Sequence, residues 1–245
     1  MMFDNPLIKE IEGKKEYIMN NFDYYSKVRK RIEKKVKSRE CINSYILEHP
    51  HNLSTKEWTE HAREGIPRLC EAWESINHEY PSDIISKLTP LGILNIGSLV
   101  DPYNDSFRHV RVSLGLKNYT PPSPLKVDYL INNFLDEIKS DKMHYIEKAA
   151  FAHTRIAAIQ PFLDGNKRTA RLIQNKILYE NCLPPATIPV DERSQYLDYL
   201  EQSMAAYNDA EATNTPSEIK KMGPFFYYIS KKVNNVLDNI INEIK

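Results

Sequence analysis

The sequence predicts an all-α protein: a helical bundle carrying one short β-hairpin, with a helical N-terminal portion packed against it. Three observations support this. Glycine is scarce, at 7 of 245 residues, and five of the 7 fall between Gly65 and Gly165. Apolar residues recur at helical spacing over most of the chain. Only Phe107–Leu114 alternates in part and carries β-branched residues, closed by Gly115 and the proline-rich run Pro121–Pro124.

The elements follow in order. Residues from about 4 to 48 are rich in Lys, Glu, Ile and Tyr, with Tyr24, Val28, Ile32 and Val36 at helical spacing. The basic run Arg29–Lys37 reads as a solvated helix face. Thr55–Asn77 is a helix broken or kinked at Pro67, and Pro81-Ser82 suit a turn into another. From Gly92 to Pro124 the pattern departs from helix and gives the hairpin and an extended linker. Helix resumes at Val127–Ile138. The next helix, His144–Ile159, has Ile146, Ala150, His153 and Ala157 on one stripe and ends at Pro161. A helix from Asn166 to Glu180 is stopped by Pro184-Pro185. After a short Ile188-Pro189-Val190 segment, Glu192–Ala206 and Phe225–Ile244 are helical. We expect residues 1–83 to form the N-terminal portion and 84–245 the main domain.

Composition narrows the function classes. Lys+Arg and Asp+Glu are equal at 33 each, so net charge gives no pull toward nucleic acid or an anionic membrane. No apolar run approaches the ~20 residues needed to span a bilayer. The start, MMFDNPLIKEIEGKK, lacks the basic and apolar regions of a secretory signal. Cys41, Cys70 and Cys182 follow no metal or redox spacing and read as ordinary buried thiols. The expectation is a cytoplasmic protein.

The chemistry concentrates at Gln160–Arg171, QPFLDGNKRTAR. Asp164, Gly165 and Asn166 stand just before a helix, whose first N–H groups lack internal partners and whose dipole is positive at that end. Such a terminus binds phosphate. Gly165 permits close backbone approach. Arg168 and Arg171 project from one helix face, and guanidinium forks suit phosphate oxygens. Asn175 continues that face one turn on. Asp164 is the one carboxylate in the loop and thus the candidate magnesium ligand.

The order F-R-x-V-x-V-x-x-G, a proline pair, a helix, then P-F-L-D-G-N-x-R-x-x-R and L-P-P-A-x-I resembles the Fic (Fido) domain over about residues 84–240. The resemblance implies an all-helical bundle with a hairpin flap over the active site. It also implies transfer of AMP from ATP to a protein hydroxyl. Asp164 would hold Mg²⁺, the backbone at Gly165, Asn166 and Lys167 would form an anion hole, and Arg168 and Arg171 would meet the outer phosphates. His109, Val110, Arg111 and Val112 of the flap would pair with a protein target's extended backbone.

Two positions depart from the family motif H-x-F-x-(D/E)-G-N-G-R-x-x-R. Gln160 stands at the histidine, the family's general base. An amide can orient a hydroxyl but has no base titrating near neutral pH, so the resemblance implies impaired catalysis at a degenerate site. His153, two turns earlier, is the one nearby alternative base. Lys167 replaces the second motif glycine, which is similar to the Doc branch that phosphorylates its targets; Arg171, often missing there, is present. Three readings follow: an impaired adenylyltransferase, a non-catalytic nucleotide- or partner-binding module, and a Doc-like phosphotransferase. Many family members also carry an inhibitory helix, (S/T)-x-x-x-E-(G/N), whose glutamate engages the second motif arginine. The nearest match is Glu60–Gly65, with Glu64 as the inhibitory residue. Target identity and self-association are left open.

Overall fold

The computed structural model describes residues 6–21, 29–48, 55–77, 88–116, 118–139, 143–213 and 222–244. Among these residues the helices are α1 (Leu7–Asn21), α2 (Arg29–Ile46), α3 (Thr55–Asn77), α4 (Pro90–Val100) and α5 (Val127–Lys139). They continue with α6 (Tyr145–Ile159), α7 (Asn166–Glu180), α8 (Arg193–Thr213) and α9 (Gly223–Ile244). The all-α prediction holds. Tyr24, Val28 and the turn expected at Pro81-Ser82 lie outside the described residues.

The centre is the α6–α7 pair, which packs together along its length. Every residue of α6 from Ala149 to Ile159 is buried, as is every residue of α7 from Arg168 to Tyr179. A helix apolar or satisfied on all sides belongs in the middle of a bundle. His144 caps α6: its ring Nδ1 accepts from Ile146 N–H while Glu147 accepts from the His144 N–H, a reciprocal capping box. Around this pair, α5, α8 and α9 cover α6. α2, α3 and α4 reach α7, and α1 lies on α9 through Lys14, which meets Asp238 at 2.6 Å.

Two expectations need correction. The departure from helix read from Gly92 onward begins later, because Pro90–Val100 is helical. Thr89 caps it, its Oγ1 accepting from Gly92 N–H, and Pro90 sits where a missing N–H costs nothing. Gly97 is there for contact: a Cβ would lie 2.2 Å from the Phe162 ring. The second correction concerns the hairpin. Among the described residues Phe107–Leu114 has no paired strand and runs as a strap of irregular chain with a bend at Val110. A lone two-stranded ribbon is marginal in water. This segment is instead held by Arg108, which is buried and bonds carbonyls on both sides of it.

Candidate active site

The α6–α7 turn is built by side chains that use its backbone groups. Gln160 closes α6 in the left-handed region, at φ 50°. Its Nε2 donates to Ala157 O at 2.6 Å, and its Oε1 accepts from Asn166 Nδ2 at 3.0 Å. Asn166 also accepts from Phe162 N–H at 2.8 Å and donates to Phe162 O at 2.9 Å. Phe162 is thereby fixed inward against Gly97, and the loop cannot spread. Gly165, at φ 78°, is the N-cap of α7; a Cβ there would approach Val100 Cγ1 to 2.9 Å. Both its dihedral and its contact exclude a side chain.

Arg108, absent from the residues singled out in the sequence, fastens the strap to this turn. Its Nε donates to Gln160 O at 2.5 Å, Nη1 to Val110 O at 2.9 Å and Nη2 to Pro122 O at 2.7 Å. Beyond it, His109, Val110 and Arg111 are exposed and Val112 is half-buried. Its signal in the sequence was its place as the arginine of F-R-x-V-x-V-x-x-G, just before that exposed run.

The two motif arginines differ sharply. Arg168 Nη2 meets Asp164 Oδ2 at 2.8 Å, while its buried Nε–H has no acceptor. A buried charged donor without a partner is costly. Asp164 has a side chain 75% exposed. No group of three or more His, Cys, Asp or Glu gathers to hold a metal among the described residues. A magnesium ion at Asp164 would therefore draw its other oxygens from phosphates and water, which is its usual habit. On those terms the residue fits the ion.

Arg171 is fully buried and fully engaged. Its Nε donates to Ser44 Oγ at 2.7 Å, Nη2 to Ser44 O at 2.8 Å, and Nη1 to Glu48 Oε1 at 2.8 Å and to Tyr196 OH at 3.0 Å. Glu48 Oε2 meets Lys167 Nζ at 2.7 Å. One carboxylate thus bridges two cations of the first turns of α7. Burial pushes the Glu48 carboxyl up, but the charges of Arg171 and then Lys167 outweigh it and hold it at about 2. Lys167 opposes the helix dipole at this end, and Glu48 offsets that conflict. The turn bearing Glu48 is held from the other side, where Arg193 Nε donates to Leu47 O at 2.7 Å.

The carboxylate on Arg171 is therefore Glu48 rather than Glu64, whose side chain is exposed on α3. The string Ser44-Tyr45-Ile46-Leu47-Glu48 has the same spacing as Glu60–Gly65 and the serine that the latter lacks, but it is followed by His49 in place of Gly or Asn. Asn175 is also placed differently. Its Nδ2 donates to Glu40 Oε1 at 3.1 Å and its Oδ1 accepts from Ala186 N–H at 3.0 Å, so it secures the Pro184–Ile188 segment. His153 makes its contacts away from Gln160: Nδ1 pairs with Gln174 Oε1 at 2.8 Å and Nε2 with Tyr196 OH at 2.9 Å. Burial, then the charge of Arg171, depress it to about 3. A neutral His153 positions Tyr196, and Tyr196 supports Arg171; a base at Gln160 it is not.

The fold is that of an all-helical protein, and its site is a buried helix terminus that carries two arginines and a lysine. The Fic/DOC family model matches residues 87–178, 92 of the chain's 245 residues. A protein adenylyltransferase Fic of Drosophila grimshawi is 38% identical over 106 residues, 42% of this chain and 22% of the fly protein. The matched stretch thus spans about a fifth of that relative. A Fic domain-containing signalling protein from Bacteroides thetaiotaomicron superposes with a TM-score of 0.77 at 23% identity, covering 96% of this chain and 97% of that one. The IbpA Fic2 domain in complex with adenylylated Cdc42 gives a TM-score of 0.52 at 22% identity, over 80% of this chain and 63% of that one. Among the described residues no helix is long and apolar enough to cross a membrane.

Proposed function

We propose that this protein binds a nucleoside triphosphate, ATP in the first instance, with its phosphates at the N-terminus of α7, and that Glu48 holds that site closed. The observation that carries this reading is the Glu48 carboxylate between Lys167 and Arg171 at 2.7 and 2.8 Å. It stands as an internal anion where a terminal phosphate would otherwise be gripped. The unpartnered Arg168 Nε–H adds a donor that phosphate oxygen would satisfy. Magnesium bound at Asp164 would neutralise phosphate charge.

The reaction class is AMP transfer to a protein hydroxyl, by likeness to the adenylyltransferases that the chain matches. The chain's own residues set its limits. Gln160 has no basic atom, and both ends of its amide are engaged within the turn. Losing a general base leaves positioning and electrostatics but typically costs ~10²–10⁴ in rate. A slow transferase, or a nucleotide-binding module, results. The strap at His109–Val112, exposed from His109 to Arg111, is the docking edge for a protein target. Lys167 favours, as a second reading, phosphate transfer of the Doc kind. ATP labelled at the α or the γ phosphorus tests these readings. Label retained from α indicates AMP transfer, and from γ phosphate transfer. Binding without either label indicates a module. The absence of ATP binding, even to Glu48→Gly protein, would overturn the proposal.

A further inference from the structure

The helices α2 and α3 run antiparallel in a register that the contacts define. Lys37 on α2 forms an ion pair with Glu74 on α3. Two turns on, Tyr45 lies on Gly65, so closely that a Cβ there would sit 2.0 Å from the ring. Midway between these contacts, the same register sets Cys41 beside Cys70, near enough for one thiol to act on the other. Both are free thiols. Their 29-residue separation in sequence has no redox meaning; the helix pairing alone makes them neighbours. Cys41 sits one turn before Ser44 and lines the same small void, about 10 Å³, as Arg171.

We propose that Cys41 and Cys70 are a disulfide-forming site, oxidised by small-molecule disulfides, and that the crosslink pins the Glu48-bearing end of α2. The two thiols have different roles. Cys70 is half-buried and is the one an oxidant reaches, whereas Cys41 is 1% exposed. Burial, then the adjacent Cys70, push the Cys41 thiol up, with Lys37 acting against them. Cys41 is accordingly the resolving thiol. The Cys70 sulfur, once deprotonated, attacks one sulfur of the small disulfide. The S–S bond breaks, one small thiol leaves with the proton, and a mixed disulfide remains on Cys70. Cys41 then loses its proton and attacks the Cys70 sulfur, expelling the second small thiol. Two electrons pass from the protein to the small disulfide, and two small thiols result. The Lys37 ammonium acts against the rise of the Cys41 thiol and so favours its thiolate on the way.

The consequence for nucleotide rests on the reading of Glu48 given above. Glu48 must withdraw from Arg171 for a terminal phosphate to enter. It hangs on the last turn of α2, whose Leu47 N–H still bonds Asn43 O at 2.9 Å. A crosslink at Cys41 fixes that end of α2 to α3, which itself packs on α4 and α7. Oxidised protein should hold its site shut more firmly than reduced protein.

The experiment uses glutathione disulfide on the folded full chain, with Cys41→Ser and Cys70→Ser as controls. Thiols are counted by alkylation and intact mass, folding by circular dichroism, and ATP binding by calorimetry. The expected result is loss of two alkylatable thiols in the wild type, with Cys182 retained. Cys41→Ser should stall as a mixed disulfide on Cys70. ATP should bind at least about threefold more weakly to oxidised protein, dithiothreitol should reverse this, and Glu48→Gly should abolish the difference. Folded wild type that keeps all its thiols, or crosslinks only after unfolding, would overturn the site. A crosslink that leaves ATP affinity unchanged in the wild type would overturn the pinning. If Glu48→Gly alters ATP affinity in neither redox state, the closed-site reading fails while the disulfide stands or falls on its own mass data.

Discussion

Glu48 lies against Arg171 at 2.8 Å across a sequence separation of 123 residues, joining the end of α2 to the first turns of α7. The contact is charge-assisted, and Lys167 takes the other carboxylate oxygen at 2.7 Å. Its pH window follows from the depressed carboxyl, about 2 in the folded protein against an ordinary glutamate value of 4.5. The ionised form is favoured by folding, so the stability it contributes is present above pH 4.5. That stability is lost as pH falls through about 2. Around neutrality the carboxylate is ionised throughout, and pH is no lever on it. Only a competing anion, or movement of α2, removes it.

Removing the carboxylate should open the site. Glu48→Gly is expected to raise ATP affinity about tenfold, on the order of 1.4 kcal/mol, and to change ADP affinity less. It should also lower stability without nucleotide, because Arg171 then stays buried without its counter-charge; added ATP should restore it. Calorimetry and thermal melts read both. Glu64→Gly, an exposed position, should leave both nucleotides unchanged.

Lys167 has two duties of opposite sign. In the wild type it helps retain Glu48, so Lys167→Gly should loosen the closure and leave ATP affinity equal or higher. In Glu48→Gly protein its ammonium faces the phosphates, and the same substitution should weaken ATP binding several-fold. This reversal is a coupling between the two sites that a double-mutant cycle measures. Additive effects would mean that Lys167 only decorates the surface.

A base at position 160 should matter only once the site is open. Gln160→His alone is expected to add little. Combined with Glu48→Gly, it should raise self- or target-modification by ~10²–10⁴. Intact mass identifies the adduct as AMP or phosphate. The histidine must also replace the amide's bond to Asn166, so circular dichroism and ATP binding of the double variant check that the loop survives.

Glu40 is a separate titration. It is buried; Asn175 Nδ2 donates to its Oε1 at 3.1 Å, and its Oε2 has no hydrogen-bond partner among the described residues. Burial pushes its carboxyl up to about 7, against the charge of Arg171. The folded state therefore holds its proton where the unfolded chain has lost it, and stability should fall as pH rises from 4.5 to about 7. Glu40→Gln, which mimics the protonated acid, should flatten that fall and stabilise the protein in mildly alkaline buffer by up to roughly 3 kcal/mol. Denaturant melts across this range test it; parallel curves for variant and wild type would exclude the shift.

What the sequence determined by itself was local: where the helices lie, and that Gln160–Arg171 forms a turn and a helix terminus with two arginines three residues apart. Helical periodicity, prolines and the glycine at the cap encode these within a dozen neighbouring residues. The span of Thr55–Asn77 was legible for that reason, and so was the start of α7 at Asn166. Pro90–Val100 was not, because Gly92 and Gly97 weaken the helical signal, and the reason for Gly97 is a ring from Phe162 far along the chain. Tertiary structure alone decided which carboxylate sits on Arg171. Glu48 and Glu64 carry comparable local strings. Which one arrives depends on how α2 and α3 pack over α7, a matter of long-range burial with no local pattern. The pairing of Cys41 with Cys70 belongs to the same category, since a helix register sets it and no spacing in the chain announces it.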